Sequence, residues 1–270
     1  MIYSVLLGLS LAYEVSAACS RATLEEATAS YVQAQAAGQL DLLSLASEVS
    51  YAENDTPMDV AEGVLSQAIT IDFNRSIHDT VECATLTELT AATAEHPYVI
   101  HTRMLVGDGG DITSIESVVT DEGDWIFNAT GHLYWTQQES WDPIPAEQRD
   151  TRDVIKAAGD AYLDQWFNST LPVPLGTPCA RLEGGIYTGQ RNISANTCVM
   201  PAFPTPIDAG NRRYVIDEEM GAVGIFNGFP WLEASDPEAV MPSSNLFRVQ
   251  GGLIRYIHEI TVCKTPMCGR

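Results

Sequence analysis

Two stretches constrain this chain more than any other: residues 23–38, TLEEATASYVQAQAAG, and residues 151–167, TRDVIKAAGDAYLDQWF. Each begins at a threonine and carries one apolar stripe at helical spacing, Leu24, Ala27, Tyr31 and Ala34 in the first and Ile155, Ala158, Tyr162 and Trp166 in the second. The first has a capping box, Thr23 with Glu26, and stops at Gly38; the second stops at Asn168, before Pro172 and Pro174. A helix with a single apolar stripe must bury it on something, and alternating strand-like runs follow each one. After the first come EVSYAEN, then TVECATLTEL, PYVIHTRMLV and ITSIESVVT, with turn signals at Asp108-Gly109-Gly110 and Asp121-Glu122-Gly123. After the second come PCARLEGGIYTG, NRRYVIDEEMGAVGIFNGF and NLFRVQGGLIRYIHEITVC. The expectation is an α+β chain that runs helix, irregular segment and curved antiparallel sheet twice, with the division near Pro145 and halves of 18–145 and 146–270. Each helix laid on its sheet encloses a conical hollow, and the two halves pack face to face as an internal pseudo-dimer, in a monomer or a weak homodimer.

The chain opens with an apolar run from Val5 to Tyr13, followed by Val15-Ser16-Ala17. That pattern reads as a signal peptide over 1–17 and is too short to span a bilayer. Six cysteines suit an oxidising compartment and three disulfides. They allow 15 pairings, among which sequence proximity favours Cys179–Cys198 and Cys263–Cys268 and leaves Cys19–Cys83. Asn54, Asn74, Asn128, Asn168 and Asn192 each open an N-x-Ser/Thr sequon, so a secreted, extracellular glycoprotein is expected. A formal charge of −22 argues against nucleic acid and anionic membrane surfaces as partners. The charge is uneven: residues 18–145 hold 3 Arg against 21 Asp/Glu, and residues 146–270 hold 11 Lys/Arg against 14 Asp/Glu. Anion recognition therefore belongs to the second half.

The motifs NRSIHD, CAT at Cys83, GDWIFN, PCARLEGGIYTG, NRRYVIDEE and FRVQGGLIRYIHEITVC resemble a family of fungal secreted proteins of unknown function. The closing hairpin FRVQGGLIRYIHEI and the first helix followed by YAEN resemble the NTF2-like (SnoaL-like) superfamily. The first resemblance implies fungal origin and secretion without a reaction to transfer. The second implies two cone-shaped NTF2-like halves. That superfamily includes dehydratases, isomerases, cyclases and non-catalytic binding domains, so the fold leaves the function open.

Strand alternation in the last hairpin puts Ile254, Tyr256, His258, Ile260 and Val262 on one face. His258 there is the candidate proton carrier, with Tyr256 donating to a developing oxyanion, because a buried imidazole beside a carboxylate can be tuned for acid/base work. On NRRYVIDEE, Arg212, Tyr214 and Glu218 share a face; Arg212 and Glu218 would orient substrate while Tyr214 lines the hollow. Arg181, in CARLEGG, and the pair His101 and Arg103, on YVIHTRML, are further binding candidates. For each cluster the bland alternative is a satisfied core histidine or a salt-bridged strand. No Gly-x-Ser-x-Gly elbow, His-Glu-x-x-His, phosphate loop, EF-hand spacing or Cys/His zinc spacing occurs, so neither a metal nor another cofactor is expected.

The functional expectation is a small-molecule or carbohydrate ligand held in a cone, with cofactor-free lyase, dehydratase or isomerase chemistry as its catalytic form. The alternatives are a non-catalytic carbohydrate or metabolite binder, and an extracellular interaction protein presenting Trp135, Trp141 and Trp231 as an exposed patch.

Overall fold

The computed structural model describes residues 19–203, 205–230, 232, 233, 236 and 238–268. The segment 1–17, expected to be a signal peptide, and Trp231 lie outside the described residues. Helix α1 (Arg21–Ala37) is followed by β1 (Leu45–Glu53), β2 (Thr56–Pro57), β3 (Phe73–Asp79), β4 (Ala84–Ala91), β5 (Tyr98–Val106) and β6 (Ile112–Thr120). Helix α2 (Ala129–Thr136) leads out of the first half. Then α3 (Arg152–Phe167) precedes β7 (Leu175–Glu183), β8 (Ile186–Tyr187), β9 (Arg213–Asp217), β10 (Ala222–Pro230), β11 (Val240–Gln250) and β12 (Leu253–Thr261).

The two halves repeat one topology. The first sheet runs β2-β1-β6-β5-β4-β3 and the second β8-β7-β12-β11-β10-β9. Neither sheet is antiparallel throughout, as the alternation suggested. β1 pairs parallel with β6, and β7 with β12, while every other ladder is antiparallel. The cause is topological: the first strand of each half docks on the last strand of a four-stranded meander, which it meets running the same way.

Both helices bury the expected stripes: Leu24, Ala27, Tyr31 and Ala34 on α1, Ile155, Ala158, Tyr162 and Trp166 on α3. The N-cap of α1 is one turn earlier than the capping box implied. Ser20 Oγ accepts from the Thr23 N–H at 3.1 Å, so Thr23 is already inside the helix. Three core layers follow. α1 covers one face of the first sheet with Tyr31, Ile100, Met104 and Ile115. α3 covers one face of the second with Tyr162, Ile225, Phe247 and Ile257. The uncovered faces meet each other through Ile77, Leu86 and Val118 from one sheet and Val215, Phe226, Leu246 and Ile260 from the other. The face-to-face arrangement of similar halves is thus observed.

Three disulfides join Cys19–Cys83, Cys179–Cys198 and Cys263–Cys268. Among the described residues no helix is long and apolar enough to cross a membrane.

Candidate functional site

A β-bulge decides which candidate residues share a face. The β11–β12 register shifts between Arg248 and Val249, opposite Tyr256 and Ile254. Ile254 therefore turns with Ile257 into the layer under α3, while Tyr256 and Ile260 turn the other way, toward the first sheet. The unbroken alternation expected from the sequence does not survive this step. Tyr256 and His258 face the layer between the halves instead of the hollow under α3.

In that layer His258 is fully buried. Its Nδ1 lies 2.6 Å from Glu88 Oε1 on β4, and its Nε2 lies 2.7 Å from Glu139 Oε2, just past α2. Two further imidazoles converge on the same Glu88 oxygen: His132 Nε2 from α2 at 3.4 Å and His101 Nε2 from β5 at 3.5 Å. Three of the chain's five histidines thus surround one carboxylate oxygen. The other Glu88 oxygen accepts from Arg75 at 2.9 Å. Trp141 closes the cluster from outside: its ring stands edge-on to His258 at 5.5 Å and stacks on Tyr256 at 5.9 Å, and its Nε1 donates to Glu139.

Charge is distributed unevenly among these groups. Burial alone would raise Glu88, but His258 and Arg75 hold it well below the ordinary carboxylate range. Burial opposes charge on His258, yet Glu139 and Glu88 outweigh it and push the imidazole up to about 9. At His132 burial outweighs the pull of Glu88, and with His258 nearby it drives the imidazole down to about 3. His101 is also lowered by burial.

The hollow under α3 is a separate site. On β12 Glu259 is opposite Glu183 of β7, and Ile257 is opposite Arg181, so Arg181, Glu183 and Glu259 look toward α3. They line a cavity of about 190 Å³ whose walls are Trp125, Trp166, Met200, Phe203 and Phe229. Arg181 Nη1 is 2.5 Å from Glu183 Oε1, and Thr261 Oγ1 donates to Glu259 Oε1 at 3.0 Å. Burial, then the neighbouring Glu183, pushes Glu259 up to about 8; burial also raises Glu183, against the pull of Arg181. The buried indole N–H of Trp166, on the cavity wall, has no hydrogen-bond acceptor among the described residues.

In the first half the corresponding space is occupied by the protein itself. By strand register Tyr51 and Glu53 stand where Arg181 and Glu183 do, and Ser117 stands in place of Glu259. Tyr51 Oη donates to Glu53, which also accepts from the Val64 N–H, while Tyr31 and Ser117 both bond Thr102, at 2.6 and 2.8 Å.

The remaining candidates are dispersed. Arg181 lines the hollow of the second half, and His101 joins the interlayer cluster. Arg212 is held by Asp160 and Asp164 of α3 at 3.0 and 2.8 Å, and Tyr214 Oη donates to Asp160 at 2.8 Å. Arg103 pairs with Glu116 at 2.8 Å. Glu218 is exposed and caps the Arg152 N–H at the start of α3, remote from His258 in role. A groove gathers Arg103, Arg152, Lys156, Arg212 and Arg213, but each is paired with an Asp or Glu, so it presents little net field to an anion. Trp141 is buried and Trp135 stacks on Tyr187 at 4.5 Å, so these two do not form an exposed aromatic patch.

Glu88, Glu139, His132 and Glu259 escaped sequence reasoning because acids are abundant and their partners are distant in the chain; Glu183 is legible beside Arg181 in CARLEGG, but its pairing with Glu259 is not. The one available signal was alternation, which places Glu88 opposite His101 and Glu259 opposite Glu183 once the strands are paired correctly.

No curated protein matches this chain. Residues 148–261, which take in all of α3 and all six strands of the second sheet, match a domain of unknown function (DUF8021).

Proposed function

We propose that the second half is a small-molecule site, built as an NTF2-like cone, in which Glu259 and Glu183 perform acid/base work on a compact, largely apolar ligand. The observation that carries this reading is the placement of two facing carboxyls and one guanidinium in an aromatic-walled cavity. Ligand sites are mostly apolar hollows with a few convergent polar groups. A carboxyl held protonated near neutral pH can donate a proton to a carbonyl or leaving oxygen, while its neighbour accepts one. Glu259 has the donor role and Glu183, beside Arg181, the acceptor role. The unpartnered Trp166 N–H supplies a hydrogen bond for a ligand oxygen. A volume of 190 Å³ matches about six water molecules, so a monosaccharide-sized or smaller ring system suits it and an oligosaccharide does not. Lyase, dehydratase or isomerase chemistry fits these roles.

The same reading places the protein outside the cell, as a disulfide-bonded glycoprotein of the fungal secreted type. Three disulfides support that compartment.

The test is a thermal-shift and tryptophan-fluorescence screen of the whole chain against hydroxylated aromatics, lactones and monosaccharides. A ligand at 100 times its Kd adds about 2.7 kcal/mol to stability. Hits should weaken at least tenfold in Glu259→Gln and vanish when Phe229→Trp fills the cavity. Hits that bind both variants as tightly as the unaltered chain would refute the site.

A further inference from the structure

The interlayer cluster has a geometry that hydrogen bonding alone does not explain. His101 Nε2 and His132 Nε2 are buried and aimed at Glu88 Oε1, yet neither has a hydrogen-bond partner among the described residues. An unbonded buried ring nitrogen is costly, and two aimed at one oxygen is a pattern that calls for a shared positive centre. Their separations from Oε1, 3.5 and 3.4 Å, are too long for good hydrogen bonds. They match the ligand-to-ligand edge of a tetrahedron with metal bonds of about 2.0–2.1 Å, which is about 3.3–3.4 Å. One ligand atom each from Glu88, His132 and His258 already lies within 4.8 Å of the other two.

The supporting shell is also in place. A metal-bound histidine characteristically has its second nitrogen held by an oxygen, which fixes the ring and its tautomer. His258 Nε2 is held by Glu139 at 2.7 Å, His132 Nδ1 by Thr90 Oγ1 at 2.9 Å, and His101 Nδ1 by Ser244 Oγ at 2.9 Å. Arg75 holds the Glu88 oxygen that faces away from the histidines.

We infer that Glu88, His132 and His258 bind one divalent cation of the zinc class, with His101 on its fourth side, and that the cation clamps the two halves together. Imidazole with carboxylate suits zinc among the common divalent ions. β4, β5 and α2 provide Glu88, His101 and His132, and only β12 of the second half provides His258. The short Glu88–His258 contact at 2.6 Å marks where the ion enters: both atoms retreat by less than about 1 Å, and the proton between them is released to solvent. Four separate elements contribute the ligands, which is why no zinc spacing is visible in the sequence. This inference is independent of the cavity under α3.

The full chain should be unfolded in guanidinium with a chelator, disulfides intact, and refolded with Zn²⁺, with Co²⁺ or with neither. Expected are about one retained zinc per chain after dialysis, a higher Tm for the zinc-refolded protein, and the visible ligand-field bands of a low-symmetry site with Co²⁺. His132→Gln should bring retained zinc below about a tenth of an equivalent. Equal Tm with and without zinc, together with a Co²⁺ spectrum identical to that of the free ion, would overturn the inference. Full zinc retention by a folded His132→Gln, Glu88→Gln double variant would overturn it as well. The refolding measurements on the unaltered chain decide the matter even where the variants fail to fold.

Discussion

Arg21, at the start of α1, donates both Nη atoms to the carboxylate of Asp217 at the end of β9, at 3.0 and 3.1 Å, across the boundary between the two halves. The relationship is reciprocated. Arg152, at the start of α3, grips Asp79 at the end of β3 with Nη contacts of 2.6 and 2.8 Å. Each aspartate also accepts a backbone N–H from the other half, His78 to Asp217 at 2.8 Å and Ile216 to Asp79 at 2.9 Å. The pseudo-dimer is therefore held by two equivalent exchanged contacts in addition to the apolar layer between the sheets.

Both aspartates are buried, so removing their charge leaves a guanidinium and several N–H groups without a full partner. Asp217→Asn and Asp79→Asn should each lower unfolding free energy by about 2–4 kcal/mol. For a chain of this size that corresponds to a Tm loss of roughly 4–15 °C. Urea denaturation of the two variants checks this; costs differing more than twofold would show that the two contacts are not equivalent.

The five sequons are not equivalent. Asn74, Asn128, Asn168 and Asn192 are exposed. Asn54 is half-buried and spends both ends of its amide on β6, Oδ1 accepting from the Val119 N–H at 2.8 Å and Nδ2 donating to the Val119 carbonyl at 3.3 Å. Passage through a eukaryotic secretory pathway should therefore leave glycans at the first four and none at Asn54. Peptide mass mapping after enzymatic deglycosylation reads the outcome directly; a modified Asn54 contradicts it.

The pattern of helices and strands was legible because burial imposes it directly: both apolar stripes, both glycine turns of the first sheet and all three disulfides follow from spacing. The site was not. His258 was correctly singled out as a buried titratable group, but its face depended on a bulge, and one extra residue inverts everything N-terminal to it. Its partners Glu88 and His132 are 170 and 126 positions away in the chain and touch it only because two sheets meet. Arg212, just before β9, and Tyr214 both reach α3, where their partners are Asp160 and Asp164, acids that nothing in their helical positions distinguishes from solvated ones.

Glu259 makes stability depend on pH in a direction opposite to that of ordinary carboxylates. Its folded value, about 8, is above the ordinary 4.5, so the folded chain holds this proton more tightly than the unfolded chain does. The favourable contribution is complete below pH 4.5 and is lost as pH rises through about 8. Facing groups are Glu183, which adds to the shift, and Arg181 and Thr261, which oppose it. Relative to Glu259→Gln, the unaltered protein should lose up to about 1.4 kcal/mol per pH unit across that interval. Paired urea midpoints at pH 5, 6.5 and 8 measure it, and a constant difference between the two proteins would show that Glu259 is ionised throughout.

The β7–β8 turn meets the start of α2 too closely for a side chain. A Cβ on Gly185 would lie 2.6 Å from Asn128 Cβ and 2.8 Å from the Asn128 carbonyl carbon, and backbone cannot swing aside as a side-chain tip can. Asn128 is the N-cap of α2, accepting from the Gly131 N–H at 2.9 Å, and one turn later the helix delivers His132 to Glu88. Gly185→Ala should therefore cost about 1–3 kcal/mol through forced displacement of α2. Gly251→Ala, at the β11–β12 turn, is the control: its Cβ meets nothing within 4 Å, and only its φ of +62° is unfavourable, a penalty of about 1 kcal/mol. Near-ultraviolet circular dichroism separates the two effects. Displacing α2 alters the environment of Trp135 and Trp141, which flank His132 and His258, whereas strain confined to a turn lowers the midpoint and leaves the aromatic signal unchanged. Equal losses from both substitutions, with identical aromatic spectra, would mean that α2 is not fixed by the Gly185 contact.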